Sequence, residues 1–233
     1  MARTKRPAWQ IEQAKSKIFN AALELFNTHG YKEVSMRKIA RKAGCSPTTI
    51  YNYYPDKDAL YLDILKKGFE MLLELLRNQP RDANPVVTLR KYAEIYYWFS
   101  LEYPYYYDIM FSFPVPKYLD YVGTKMEGVA WEEKRIALEN LRLLTEAVEE
   151  ALTGGYLEER MSASTLAKVL FSVCHGIISL YRSRVWPEVG ADFRRLYFQA
   201  VDDFLLRFNP QLGGGEGHTA GSDGKGSGAR EVG

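Results

Sequence analysis

The chain has 233 residues, of which 46% are hydrophobic, enough for one large domain or two small ones. Its two cysteines, Cys45 and Cys174, lack the spacing of a metal site or redox motif, and the basic N-terminus lacks the apolar core of a secretory signal. The longest uncharged apolar run, Val169 to Tyr181, is shorter than the roughly 20 residues of a bilayer span, so we expect a soluble cytoplasmic protein.

The formal net charge of +2 conceals an asymmetry along the chain. Residues 1–57 hold 11 Lys/Arg against 4 Asp/Glu, whereas residues 58–233 hold 20 against 25. This distribution favours an N-terminal part, the head, that binds a polyanion, and an acidic C-terminal part that does not. A basic surface that is merely solvated would give the same numbers, so charge alone leaves both interpretations open.

Helical periodicity and capping residues divide the first third of the chain into four helices. Apolar residues at three- and four-residue steps predict a first helix from Ile11 to Asn27. We place the next three helices at residues 36–43, 47–53 and 57–78. Their N-caps are predicted to be Ser35, Ser46 and Asp56.

The rest of the chain is also predicted to be helical, because it shows almost none of the alternation of apolar and polar residues that is typical of strands. Residues 79–85 carry two prolines and predict a linker, and helical segments follow at residues 86–102, 105–112, 123–153, 163–185 and 190–208. Residues 211–233 are rich in glycine and poor in apolar side chains, which predicts a disordered tail. The sequence therefore predicts an all-α protein of about nine helices.

The second and third helices form a helix-turn-helix, because only Gly44 and Cys45 separate the end of one from the N-cap of the other. Ile39, Ala40 and Ile50 are placed to form its core. The third helix then presents polar and aromatic side chains of a length that reaches base edges and phosphates in a major groove. These exposed candidates are Pro47, Thr48, Thr49, Tyr51, Asn52 and Tyr53.

This stretch resembles the helix-turn-helix signature of TetR-family repressors. The resemblance is carried by residues 34–60, VSMRKIARKAGCSPTTIYNYYPDKDAL, and by the upstream Ala22-Leu23-Glu24-Leu25-Phe26 with Gly30-Tyr31. It covers residues 11–66 closely and the remainder only in general form. It implies a DNA-binding domain at residues 8–66, and a helical ligand-sensing and dimerisation domain at residues 67–210.

The resemblance also implies roles for single residues. Ser35 and Arg37 match positions that touch phosphate or base, Tyr51 and Tyr53 match backbone- or base-contacting positions, and Lys57 matches a phosphate-binding lysine. The chain departs from the family pattern at two places: Thr48 stands where many members have glycine, and Tyr53-Tyr54 where many have His-Phe. A helical bundle with no DNA role remains the alternative.

The segment from residue 92 to 131 is dense in aromatic side chains and poor in Lys and Arg. Tyrosines around an apolar space suit a pocket for a hydrophobic or aromatic small molecule, and the low positive charge disfavours an acyl-CoA or phosphate ligand. Core aromatics or a dimer contact are the alternatives. The candidate lining residues are Tyr92, Tyr96, Phe99, Tyr103, Tyr107, Phe111 and Trp131.

The last two predicted helices each carry a wide apolar face, and the resemblance implies that such a pair meets its copy in a homodimer. The candidate interface residues are Leu170, Cys174, Ile177, Tyr181, Tyr197, Val201 and Phe204. His175 lies on the same stretch and is expected to be a core or interface histidine, not a metal ligand. No cofactor is predicted.

The sequence thus predicts a ligand-responsive regulator, most simply a repressor that leaves a near-palindromic operator when a small molecule tilts the helix at residues 57–78. An enzyme is disfavoured because there are only three histidines and no nucleophile elbow, phosphate loop or metal-ligand spacing, and we predict no catalytic residue. A DNA-binding dimer without a ligand and a transcriptional activator stay open.

Overall fold

The computed structural model describes residues 7–112 and 115–209, and all regular structure within these ranges is helical, which confirms the predicted fold class. The predicted disordered tail, residues 211–233, lies outside the described residues. The α-helices are α1 (Ala8–Glu33), α2 (Met36–Lys42), α3 (Pro47–Tyr51), α4 (Lys57–Arg77), α5 (Pro85–Glu102), α6 (Pro104–Tyr107), α7 (Tyr118–Tyr121), α8 (Glu127–Thr153), α9 (Ala163–Arg182), α10 (Val185–Glu188) and α11 (Phe193–Arg207). A single π-helical turn, Asp108–Ser112, continues α6.

The helix boundaries follow from local chemistry. Ser35, Ser46 and Asp56 each accept a hydrogen bond from the backbone N–H three residues later, as their sequence positions predict. The first helix is longer than the predicted Ile11–Asn27 at both ends: it begins at Ala8, and helical structure resumes beyond Gly30 after a kink at which this glycine has φ 77°.

The four helices α4, α5, α8 and α9 form the centre of the larger, C-terminal part. Helix α8 packs against α4, α5 and α9, and α11 packs against α9 and α5. Helix α4 also contacts α1, so one continuous helix belongs both to the N-terminal head and to the C-terminal bundle. The division at residue 66 therefore falls inside α4 and stays a prediction.

The π-helical turn meets α4 at its one helical glycine, Gly68. A Cβ atom at Gly68 would lie 2.6 Å from Met110 Sδ and 3.2 Å from Tyr106 Cδ1. The absence of a side chain thus lets the α6 region lie directly on α4. Tyr106 also packs against Phe19 of α1, with ring centroids 6.5 Å apart, so this region contacts the head as well.

Helix α9 is unusually apolar. Among the described residues it is the one helix long and apolar enough, by length and composition only, to cross a membrane, although the uncharged run within it is shorter. Only 28% of its most apolar 18-residue window is buried inside the protomer. Much of the apolar surface of α9 is therefore not covered by the rest of the protomer. That surface is free to pack against another molecule.

Candidate nucleic-acid interface and adjoining cavity

The turn between α2 and α3 is held by two capped helix starts and one glycine. Ser35 Oγ accepts from the Lys38 N–H at 3.3 Å, and Ser46 Oγ accepts from the Thr49 N–H at 3.1 Å. Gly44, between the helices, has φ 68°, a left-handed conformation that favours glycine. These local interactions set the angle at which α3 leaves α2.

The inner side of the helix-turn-helix is a small closed core. Ile39, Ala40 and Ile50 are buried, as the spacing predicted. Tyr54 is buried too, and its hydroxyl donates to Asp63 Oδ2 at 2.8 Å. Desolvation, followed by the hydrogen bond to Asp63, raises the pKa of Tyr54 above its usual value. This hydrogen bond links Tyr54, which follows α3, to α4.

The outer side carries the residues predicted to contact DNA. Exposed are Ser35, Arg37, Pro47, Thr48, Tyr51 and Asn52, and half-buried are Thr49, Tyr53 and Lys57. All nine therefore lie at or near the surface of the head. Contact with DNA stays a prediction for each of them.

The basic side chains of this surface differ in whether they already have a partner within the protein. Lys42 pairs with Glu24 at 2.5 Å, and the Lys38 ammonium donates to the Glu33 carbonyl at 2.7 Å. Arg37 and Arg41 are exposed and have no ion-pair partner among the described residues. These two arginines are accordingly the free cations of α2, the helix that crosses the backbone in helix-turn-helix complexes.

Lys57, predicted to bind phosphate, is held by the protein itself. Its ammonium donates to the Tyr31 carbonyl at 2.8 Å and lies 4.1 Å from the centre of the Tyr31 ring. Desolvation lowers its pKa, and the carboxylate of Glu33 partly offsets this. A phosphate contact by Lys57 would have to share the ammonium with Tyr31.

A cavity of about 440 Å³ lies between α4, α5, α8 and α9, close to the π-helical turn. Its wall is almost entirely aliphatic and aromatic, a composition typical of sites for apolar small molecules. The lining includes Leu72, Leu76, Tyr92, Ala93, Tyr96, Phe111, Ala137, Leu138, Asn140, Leu141, Leu144, Lys168, Leu170, Phe171, Ser172 and Cys174.

Three of the seven predicted ligand residues, Tyr92, Tyr96 and Phe111, line this cavity. Phe99 and Tyr107 are buried but do not line it. Two others lie at the surface and do not line this cavity: Tyr103 ends α5 and is 38% exposed, and Trp131 is 45% exposed, so a role in ligand binding stays a prediction for both. Both belong to an aromatic-rich segment, but their helix positions turn them outward.

A hydrogen-bonded cluster closes one side of the cavity. The Tyr107 hydroxyl lies 2.8 Å from His175 Nδ1, and the Tyr96 hydroxyl lies 3.2 Å from the same nitrogen and 3.4 Å from the Tyr107 hydroxyl. Burial raises the pKa of both tyrosines and lowers that of His175, which favours neutral imidazole. His175 is thus a partnered core histidine, as expected from its apolar surroundings.

Most of the cavity wall was not predicted, because α4, α8 and α9 supply it. Their contribution depends on which helices pack together, and only one signal was present in the sequence. Asn140 occupies the buried stripe of α8 with Ile136, Leu143 and Ala147, a position where an apolar residue is expected.

Carboxylates and tyrosines meet where the head joins the C-terminal part. Asp58 Oδ1 accepts from the Tyr31 hydroxyl and, at 3.4 Å, from the Tyr121 hydroxyl. Nearby on α8, Glu133 is 7% exposed. Burial raises the pKa of Glu133 to about 7, although Lys117 acts in the opposite direction.

Replacing Glu133 with glutamine is expected to stabilise the fold above neutral pH. The folded-state pKa of about 7 exceeds the ordinary 4.5, so the folded protein holds a proton that the unfolded chain releases between these values. Stability conferred at low pH is therefore lost as the pH rises from 4.5 to 7. At pH 8 we expect Glu133→Gln to gain about 2–3 kcal/mol in unfolding free energy. Denaturant titration at pH 5 and pH 8 measures this, and the exposed neighbour Glu132→Gln should lack the effect.

The predicted dimer residues fall into two groups. Leu170, Cys174, Tyr197 and Val201 are buried within the single protomer, and their place at a dimer interface stays a prediction. Cys174 lines the cavity, and the Tyr197 hydroxyl donates to the Ala93 carbonyl at 2.8 Å. The half-buried Ile177, Tyr181 and Phe204 remain candidates.

The uncovered apolar surface of α9 lies on its other side. Val169, Val173, Gly176 and Leu180 follow steps of four, three and four residues, which places them on one face of the helix. Val169 and Leu180 are 37% and 38% exposed. A Cβ atom at Gly176 would meet nothing within 4 Å, so this face is open at its centre. We call these four residues the α9 stripe.

Two family models match the chain. The model for bacterial regulatory proteins of the tetR family matches residues 18–64, and the model for the tetracyclin repressor-like C-terminal domain matches residues 89–204. The two matches together span more than two thirds of the chain. The HTH-type transcriptional regulator RutR of Escherichia coli K12 is 30% identical over 94 residues, which are 40% of this chain and 44% of the relative. The matched stretch thus spans less than half the length of that relative.

Solved structures share the whole fold. Bacillus subtilis FadR in complex with stearoyl-CoA superposes with a TM-score of 0.64 at 16% identity, covering 82% of this chain and 97% of FadR. The SmeT–triclosan complex gives 0.66 at 18% identity, covering 91% of this chain and 99% of SmeT. At these identities the likeness establishes the fold alone.

Proposed function

We propose, because this chain belongs to the TetR family of bacterial regulatory proteins, that it is a ligand-responsive transcriptional regulator that binds operator DNA. The family consists of DNA-binding regulators rather than enzymes. The observation that carries the proposal is the capped helix-turn-helix with Tyr51, Asn52 and the unpaired Arg37 on its outer side. We expect the protein to act in the cytoplasm, as a repressor of genes whose promoter overlaps its operator.

The operator is a near-palindrome read by a homodimer. Two copies place two recognition helices about 34–36 Å apart, one turn of the DNA helix. In each copy we assign α3, with Pro47, Thr48 and Thr49 at its start, to the major groove. Ser35 and Arg37 lie at the start of α2 and are assigned to the phosphate backbone, as are Tyr53 and Lys57.

The homodimer is supported by the α9 stripe. Val169 and Leu180 are exposed in the protomer and Val173 is only half-buried, although apolar surfaces of this kind are usually buried against a partner. Gly176 at its centre allows close approach of a second helix. Ile177, Tyr181 and Phe204 border the stripe or lie on the neighbouring helices and extend the proposed contact.

The effector is a small hydrophobic or aromatic molecule bound in the 440 Å³ cavity. The SmeT and FadR structures hold triclosan and stearoyl-CoA, so the shared fold accommodates ligands with a large apolar part. Tyr92, Tyr96 and Phe111 supply aromatic contacts to the effector of this chain. Among the described residues, Lys168 is the one cation of the wall, which disfavours a ligand with several phosphates.

The signal passes through α4 and the π-helical turn. Leu72 and Leu76, near the end of α4, line the cavity, while the start of the same helix carries the head. Phe111 lines the cavity one residue after Met110, which packs on Gly68. A ligand that prefers a different tilt of α4 would change the separation of the two heads and release the DNA.

Selection of genomic fragments by the purified protein, followed by footprinting at two salt concentrations, tests this function. We expect a protected near-palindrome and an affinity that falls steeply with salt, because phosphate contacts release counterions. Uniform weak binding without a footprint would contradict operator recognition. Structures with and without effector that show the same head separation would contradict the proposed signal.

A further inference from the structure

The cavity has a buried apolar inner wall and an open rim. Tyr92 and Leu170 belong to the inner wall and are buried in the protomer. The rim is formed by Leu138 of α8 with Lys168 and Ser172 of α9, and these three side chains are exposed. The cavity therefore opens to solvent between α8 and α9, and a bound molecule would have one end inside and the other end at this rim.

Lys168 is the one charged side chain among the described residues that line the cavity. None of the described residues forms an ion pair with its ammonium or accepts a hydrogen bond from it. The Ser172 hydroxyl donates to the Lys168 backbone carbonyl at 2.8 Å, and this bond leaves the ammonium unoccupied. The rim thus offers one accessible positive charge beside an apolar surface.

The carboxylates of α8 near the rim already have cations of their own. Glu139, next to Leu138 in the chain, lies 2.6 Å from Arg77 and 2.6 Å from Arg142. Glu146, further along α8, pairs with Arg81 and Arg142. These carboxylates are therefore not counter-ions of Lys168.

The charge at the rim determines which polar group a ligand can place there. An apolar body gains most when it is buried in the inner wall, so the polar end of an amphipathic ligand is left at the rim. A cationic end would meet the positive charge of Lys168, and no carboxylate among the described residues lines the cavity to offset it. An anionic end would gain a charge-assisted hydrogen bond, which is stronger than one between neutral groups.

We propose that the effector is an amphipathic carboxylate, whose apolar body fills the cavity and whose carboxylate accepts a hydrogen bond from the Lys168 ammonium at the rim. The inference rests on the proposed function, since it takes this cavity to be the effector site. One lysine matches one negative charge, so alkyl or aryl monocarboxylates fit the site. Lys168 is then the residue that selects a carboxylate over a neutral molecule of the same shape.

A matched pair of probes tests the selection. 4-Hexylbenzoate and 4-hexylbenzamide have nearly the same shape, but only the benzoate is charged at neutral pH. Isothermal titration calorimetry on the full chain at low salt should give about 10-fold tighter binding of the benzoate, the gain typical of one hydrogen bond to a charged group. This preference should shrink as salt is added, because the ammonium lies at the exposed rim, where ions screen it.

Variants assign the preference to one residue. In Lys168→Met the benzoate should bind only as tightly as the benzamide, and unchanged binding of the benzamide shows that the variant keeps its cavity. Lys168→Arg retains the charge and should retain the preference. Lys67→Met is the matched control, because Lys67 is an exposed lysine of α4 that has no ion-pair partner among the described residues and does not line the cavity. It should bind both probes like the wild type.

The possible failures can be told apart. Survival of the preference in Lys168→Met, or its loss in Lys67→Met, would overturn the assignment to Lys168. If the wild type binds the benzamide as tightly as the benzoate, the proposal is overturned and the effector cavity stands. If neither probe binds to protein that still footprints its operator, both this proposal and the cavity as effector site fail. The wild-type comparison depends on no variant folding.

Discussion

Replacing Gly176 with arginine is expected to convert the protein to a monomer and to weaken operator binding at least about 100-fold, since two linked heads gain that much from binding together. Gly176 lies in the centre of the α9 stripe, and a Cβ atom there meets nothing within 4 Å in the protomer. The substitution therefore leaves the protomer fold intact, while a long charged side chain stands where the second copy must approach. Light scattering after size exclusion gives the mass, and gel shift on the operator gives the affinity.

Gly128→Arg is the matched control for this experiment. Gly128 is also a helical glycine, in the first turn of α8, and a Cβ atom there likewise meets nothing within 4 Å. The control adds the same charge and the same side chain at a site away from the stripe, and should leave the dimer intact. A dimer of unchanged mass in Gly176→Arg would place the interface elsewhere on the protomer.

The features that the sequence predicted well depend on residues close together in the chain. Ser35, Ser46 and Asp56 cap their helices because each cap needs only the backbone three residues ahead. The inward side of the helix-turn-helix follows from the spacing of Ile39 and Ile50 on two short helices. Local rules suffice for such a motif, so its core and its outer side were both identified.

The dimer residues are harder to predict from the sequence because α9 is apolar on two faces. Leu170 and Cys174 on one face enter the protomer core, whereas on another face Val169 is exposed and Val173 is only half-buried. Periodicity shows that a helix has an apolar face, but it cannot say which of two such faces meets the same chain. That choice depends on the positions of α5 and α11, which are set by tertiary packing.

The cavity was only partly foreseen for a similar reason. Aromatic density pointed to residues 92–131, and Tyr92, Tyr96 and Phe111 do line the wall. The rest of the wall comes from α4, α8 and α9, whose apolar residues look like ordinary core or interface residues in the sequence. A cavity is space left between helices, and no single helix encodes it.

Replacing Tyr51 with alanine is expected to weaken operator binding about 10- to 100-fold, the loss typical of one side chain that reads a base edge or positions the backbone. Tyr51 is 53% exposed at the end of α3, and its side chain makes no hydrogen bond within the described residues. Its removal thus costs the fold little, and the melting temperature should stay unchanged. Tyr156→Ala, at a tyrosine that is 41% exposed beyond the far end of α8, is the control and should bind DNA normally.

Salt dependence separates the role of Tyr51 from that of a cation on the same surface. Arg37→Ala should weaken binding to all sequences and reduce the slope of log affinity against log salt by about 1, because one phosphate contact is lost. Tyr51→Ala should keep the wild-type slope, because a neutral side chain releases no counterion. If its loss of affinity is confined to operators with particular base pairs, Tyr51 reads bases, and if it is uniform, Tyr51 positions the backbone. If Tyr51→Ala binds the operator with wild-type affinity, Tyr51 does not contact the DNA, because no other change in the variant compensates for the missing ring.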